Sequence, residues 1–169
     1  SVLNVGVLRL QEDAAGMTGK VEFVGIVGAS GIATVSRAYE VLFNSSATIA
    51  GATTFNNTGA LTLGDSAGAD LFVFTGGFTN TSGTTILQGD SLQTSNAGLS
   101  ALNLQVKKDS SISTGTGAVT LGSLLVDGVT ANLANGSGGI SIGTLDSGTL
   151  VIDTTGALTV TGLVGYGTI

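Results

Sequence analysis

The chain has 169 residues with 28 Gly and no Pro, Cys or His; aromatics make up 5%, charged residues 9%, and 11 acids against 5 bases leave a net charge of −6. That length suits one domain with a real core, while the missing His and Cys remove the usual zinc sites, the Ser/His and Cys/His nucleophile pairs and the commonest general base. The charges form no like-charged run to track phosphates, which argues against nucleic acid, and despite a mean hydropathy of +0.50 no stretch of 18 apolar residues exists to insert as a membrane helix.

The first residues, SVLNVGVLRLQEDAAG, show neither a basic leader nor an initiating Met, so the expectation is a mature product or an excised part of something longer. Residues 1–46 carry Arg9, Lys20 and Arg37, three of the five bases, and long apolar runs such as VEFVGIVGASGIATV. They are expected to form an irregular cap, an irregular first set of rungs or an assembly segment. Within them GASGIA (28–33) lacks the GK[ST] of a phosphate loop and reads as a strand corner. SRAYEVLF (36–43) has helical potential, but its β-branched and aromatic content fits a strand equally well.

Residues 47–169 read as a repetitive β region. Period-two alternation sets Leu61 and Leu63 opposite Thr62, Val119 and Leu121 opposite Thr120, Ile140 and Ile142 opposite Ser141, and Leu158 and Val160 opposite Thr159. Leu102, Leu104 and Val106 likewise oppose Asn103 and Gln105. Clusters such as NNTG (56–59), TNTSGT (79–84), STGTG (113–117) and ANGSGG (134–139) supply turns between them. A G-(A/G)-apolar-(T/S)-apolar motif starts at Gly59, Gly117, Gly138 and Gly156. If the first interval hides three units, the period is about 20 residues, the length of one coil of a β-solenoid. The predicted fold is all-β, a parallel β-helix with a thin core of Val, Leu, Ile and Ala. The alternative is an antiparallel sandwich or jelly roll, whose strands are also closely spaced.

ATIAGATTFNNTGALTLGD, GADLFVFTGG and GGISIGT…GALTVTG resemble, over residues 44–169, the Gly/Thr/Ala/Asn/Leu repeats of filamentous-haemagglutinin-like and autotransporter-like bacterial surface proteins. The resemblance implies a right-handed parallel β-helix exported to the cell surface for adhesion or matrix formation. The amino-terminal third does not share that repeat style.

Candidate chemistry is sparse. GADLF (68–72) looks like one half-site of a calcium-binding nonapeptide repeat, but nine residues on, Gly77 is followed by GFTNTS-type sequence without Asp. Asp65 and Asp70 are therefore expected to be turn residues that satisfy backbone amides, with a shared calcium ion as the alternative; no other cofactor is expected. Glu12 and Asp13 read as a solvated turn, and Asp127, Asp146 and Asp153 as three carboxylates whose convergence would be needed for a glycosidase or lyase site. VKKD (106–109) reads as a solvated strand edge. The sequons at Asn44 and Asn80 carry no assigned role. A flat ice-binding face would want Thr-x-Thr on successive rungs, and TVT occurs once, at 159–161.

The end of the chain, LTVTGLVGYGTI, is uncharged and apolar. Leu158, Val160, Leu163, Val164, Tyr166 and Ile169 are the candidate assembly residues, forming an edge that the next rung or a neighbouring copy would pair with. The expected function is a noncatalytic, extracellular or cell-surface rod segment of an adhesin or matrix protein. A homopolymeric fibre subunit joined through its ends is the alternative. The expected partner is the chain itself, with any host or matrix surface unspecified.

Overall fold

Short strands that bury one side and meet glycine-rich turns have two options, to fold back as hairpins or to coil forward. This chain coils. The computed structural model describes residues 2–10 and 18–164, in which every strand pairing is parallel and no helix occurs. The antiparallel sandwich is thereby excluded. About eight turns, some 20 residues apart, stack into a β-solenoid.

Each turn contributes to three faces, A, B and C in chain order. The first comprises β1 (Val2–Leu10), bent across A and B, and β2 (Gly19–Phe23) on C; the second repeats this with β3 (Ile26–Thr34) and β4 (Tyr39–Phe43). The third has β5 (Ala47–Ile49), β6 (Thr53–Phe55) and β7 (Leu61–Leu63), and the fourth β8 (Leu71–Phe74), β9 (Phe78–Asn80) and β10 (Thr85–Leu87). In the fifth, β11 (Ser91–Gln93) lies on A and β12 (Leu99–Val106) spans B and C. The last three rungs are built from β13 (Ser110–Ser113), β14 (Val119–Gly136), β15 (Ile140–Thr154) and β16 (Leu158–Val164). The ladder passes through residue 46 without interruption: β3 pairs β5 on A and β4 pairs β7 on C.

Register decides what is stacked on what. Face C aligns Val21, Val41, Leu61, Thr85, Leu104, Leu124, Leu145 and Leu163 from the first rung to the eighth. Residues at these positions and their inward equivalents on A and B form one continuous core. That core is not uniformly thin and aliphatic. All six Phe lie between positions 23 and 78; five are fully buried, and Phe23 packs at the core's edge, stacked on Phe43 at 4.8 Å. Phe55, Phe74 and Phe78 meet in a cluster with centroids 5.0–6.1 Å apart. From the fifth rung on, Leu, Ile, Val and Ala suffice.

The corners explain the recurring glycines. A Cβ on Gly117 would strike the Ala97 carbonyl, one on Gly138 the Gly117 carbonyl, and one on Gly156 the Gly138 carbonyl. Stacked A–B corners thus leave no room for a side chain. The same corner is closed by buried polar side chains that donate three residues ahead: Thr94 Oγ1 to the Ala97 carbonyl at 2.5 Å, Thr114 Oγ1 to Gly117 at 2.8 Å and Asn135 Nδ2 to Gly138 at 2.8 Å. Those bonds satisfy carbonyls that the bend removes from the ladder.

Two sequence expectations need correction. The motif at Gly59 opens a strand on face C, whereas those at Gly117, Gly138 and Gly156 open strands on B. The 58-residue interval is therefore not a whole number of rungs, although the following two intervals are. Leu102 does not share a face with Leu104 and Val106: it is 50% exposed, because the B–C corner falls inside β12 and resets the alternation after Ala101.

Candidate functional site

The longest C–A corner, residues 64–70, carries both aspartates singled out from the sequence. Gly64, Ser66 and Gly68 all have positive φ, at 93°, 68° and 75°, and Asp65 Oδ1 accepts the Ala67 N–H at 2.8 Å, the expected turn role. Asp70 behaves differently. It is buried, and its Oδ2 has no hydrogen-bond partner. Burial pushes its carboxyl above the ordinary carboxylate value, and the nearby Asp65 charge adds to that.

What secures this loop is Lys108 of the VKKD stretch, expected from sequence to be only a solvated edge. Lys108 Nζ donates to the Gly68 carbonyl at 2.7 Å and to Asp90 Oδ2 at 2.9 Å, while Asp90 Oδ2 also accepts the Asp70 backbone N–H at 2.9 Å. The Lys108 bond holds the Asp90 carboxyl below its ordinary value. Asp109 Oδ1 continues the pattern by accepting the Thr130 N–H at 2.7 Å. The signal for Lys108 was its 18-residue separation from Asp90, close to one rung.

The other carboxylates are spread out. Asp127 is bonded by Gln105 Nε2 at 3.4 Å near the C–A corner, Asp146 points outward on C and Asp153 outward on A. Asp146 and Asp153 thus face different sides of the rod. Among the described residues no three His, Cys, Asp or Glu side chains are grouped to hold a metal ion. Glu12 and Asp13 lie outside the described residues.

Both ends of the described rod are apolar. At the eighth rung Leu158 and Leu163 continue inward-facing columns yet remain exposed, Val160 is half-buried in the same position, and Val164 points outward. Tyr166 and Ile169 lie outside the described residues. At the first rung Val2, Leu3, Val7 and, at the adjoining corner, Val24 are exposed.

Face B has a regularity of which the sequence motif shows only half. Thr54, Thr79, Ser100, Thr120, Ser141 and Thr159 are aligned across six successive rungs. Among the described residues none of these six hydroxyls is hydrogen-bonded, in contrast to those of the corner threonines Thr94 and Thr114. Beside this column run Ala52, Gly77, Gly98, Ala118, Gly139 and Ala157, and two shallow depressions of about 310 and 380 Å³ join over Thr79, Ser100 and Thr120. The pattern expected of an ice-binding face is Thr-x-Thr on successive rungs, whereas the repeat is one hydroxyl per rung, and register extends it from the three motif residues Thr120, Ser141 and Thr159 to six rungs.

Compared with known protein families, curated proteins and solved structures, the chain matches none.

Proposed function

We propose that the chain is a noncatalytic, extracellular rod, a structural or adhesive segment of a bacterial surface adhesin or matrix protein. The observation that carries this reading is the eight-turn parallel ladder with one continuous core. Such a body is stiff along its axis because each rung is bonded to the next, and its length grows simply by adding turns. On face B its outward column from Thr54 to Thr159 is Thr and Ser throughout, suited to a hydrated surface.

A second reading, a homopolymeric fibre subunit, is favoured by the exposed inward columns at Leu158 and Leu163, with Val160 beside them, and by the exposed Val2, Leu3 and Val7 at the opposite end. Among the described residues β16 pairs only with β15, and its other edge is one that another first rung would complete. Electron microscopy of native material, with the mass of its repeating unit, separates the two. Isolated rods of mass far above 16.5 kDa support the adhesin segment; regular filaments with a 16.5 kDa unit support the fibre. Globular particles without a rod axis would overturn both.

A further inference from the structure

We propose that face B is a docking surface for a second copy of this chain, with two rods lying side by side and their hydroxyl columns apposed. This pairing is lateral and is independent of whether the ends also stack.

Charge placement is the first reason. Among residues 53–164 the charged side chains lie at the C–A corner (Asp65, Asp90, Lys108 and their neighbours), on C (Asp146) or on A (Asp153). Face B and the corners on either side of it carry none over six rungs. Two copies at −6 each repel, and apposing their B faces turns the acidic corners outward, as far apart as the rods allow.

Periodicity is the second. A hydroxyl column at the rung spacing of about 4.8 Å meets an identical comb on another copy with no mismatch accumulating along the rod. The flanking Gly and Ala column lets the backbones approach closely, as in stacked sheets of small residues. Among the described residues none of the six hydroxyls has a side-chain hydrogen-bond partner, which leaves them to bond across the interface. Among the described residues of rungs three to eight, face B offers a charged partner no complement and a sugar no exposed aromatic ring to stack on.

Size is the third. Six rungs at about 4.8 Å by five residues at about 3.3 Å give a patch of roughly 500 Å² per copy, or about 1,000 Å² for the pair, the lower bound for a specific interface. A two-fold axis perpendicular to the rod, passing between Ser100 and Thr120, would pair Ser100 with Thr120, Thr79 with Ser141 and Thr54 with Thr159 of the other copy.

Sedimentation of the full chain tests this, using T79K/T120K on face B, T48K on face A as a control, and L163D at the end. All four proteins are first checked for the strand signal of the wild type by circular dichroism. The expected result is a wild-type dimer that strengthens with salt as repulsion is screened, a dissociation constant at least tenfold weaker in T79K/T120K, and no change in T48K or L163D. A wild type that stays monomeric to about 1 mM overturns the proposal, as does association that survives T79K/T120K or is lost instead in L163D. So does a monomer retained on insoluble cellulose or chitin through face B, which would assign the surface to a neutral glycan.

Discussion

Lys108 and Asp90 form an ion pair between adjacent rungs, Nζ to Oδ2 at 2.9 Å, and the same ammonium reaches the Gly68 carbonyl another rung away at 2.7 Å. One side chain therefore ties together three successive C–A corners. Asp90 in turn holds the backbone N–H of Asp70. Replacing Lys108 by Met keeps the aliphatic stem and removes the tie. Hydrogen exchange should then quicken several-fold at the 64–70 corner and the Asp70 amide, with little change in the Phe cluster, because loosely held corners open locally. Equal acceleration throughout the chain would show that the pair supports global stability rather than this corner.

Asp70 and Asp90, at successive C–A corners, respond to acid with opposite sign. Asp70 is raised by burial, so it binds its proton more tightly folded than unfolded. It favours the folded state below the ordinary carboxylate value, and that advantage is lost as pH rises through its raised value. Asp90 is depressed by Lys108, so it stabilises above the ordinary value and loses this as pH falls through its depressed value. Asp70→Asn keeps the shape without the charge. It should melt above the wild type at pH 7, and the difference should shrink towards zero as pH falls to about 4, where the wild-type carboxyl is increasingly protonated. A variant that melts lower at pH 7 would show that the Asp65 backbone N–H and the Lys108 charge outweigh the burial of the Asp70 carboxylate.

At the A–B corner the demand is steric. A Cβ on Gly117 collides with the Ala97 carbonyl, whereas one on Gly98 would sit 3.5 Å from the nearest backbone atom, the Ala118 carbonyl, in ordinary contact. Gly117→Ala should lose about 1–3 kcal/mol from overpacking, a fall in Tm of about 2–4 °C per kcal/mol for a chain of this size. Gly98→Ala should remain within about 1 kcal/mol of the wild type. Equal melting of the two variants would mean that the stacked corners shift apart at no cost.

Much of this architecture was legible before any coordinates. Alternation at Val119–Leu121 and Ile140–Ile142 identifies inward columns because each pair lies wholly on one face. Leu102 was misplaced by the same logic, since a corner inside a strand leaves no punctuation when no Gly or Asn is needed to make it. The near-20 period was readable where Gly117, Gly138 and Gly156 obey one steric rule. It was blurred at Gly59, whose identical-looking motif lies on another face, and around residues 64–70, where an enlarged corner lengthens the turn. Face B was legible only in part: the motifs at Gly117, Gly138 and Gly156 contain Thr120, Ser141 and Thr159, but Thr54, Thr79 and Ser100 lie outside that motif, and only the register joins them to the same column.

The aromatic cluster should dominate stability. Phe74 is fully buried, with ring centroids 5.0 Å from Phe78 and 6.1 Å from Phe55. Phe74→Ala should cost about 3–5 kcal/mol, since the lost transfer energy is joined by a cavity that stacked rungs cannot close. Denaturant unfolding measures it, and a loss below about 1.5 kcal/mol would mean that Phe55 and Phe78 refill the space.

Calcium dependence is the remaining question at the 64–70 corner. A calcium ion there would draw on Asp65 and Asp70 with neighbouring carbonyls, yet Asp65 already accepts the Ala67 amide, and the Gly68 carbonyl is bonded by the Lys108 ammonium. A divalent ion would have to displace that ammonium, leaving two carboxylates where stable calcium sites gather six to eight oxygens. Melting in millimolar calcium and in chelator should therefore coincide for the wild type. A Tm raised by calcium in the wild type but not in Asp70→Asn would reverse this conclusion, and would make the unpartnered Asp70 oxygen a ligand.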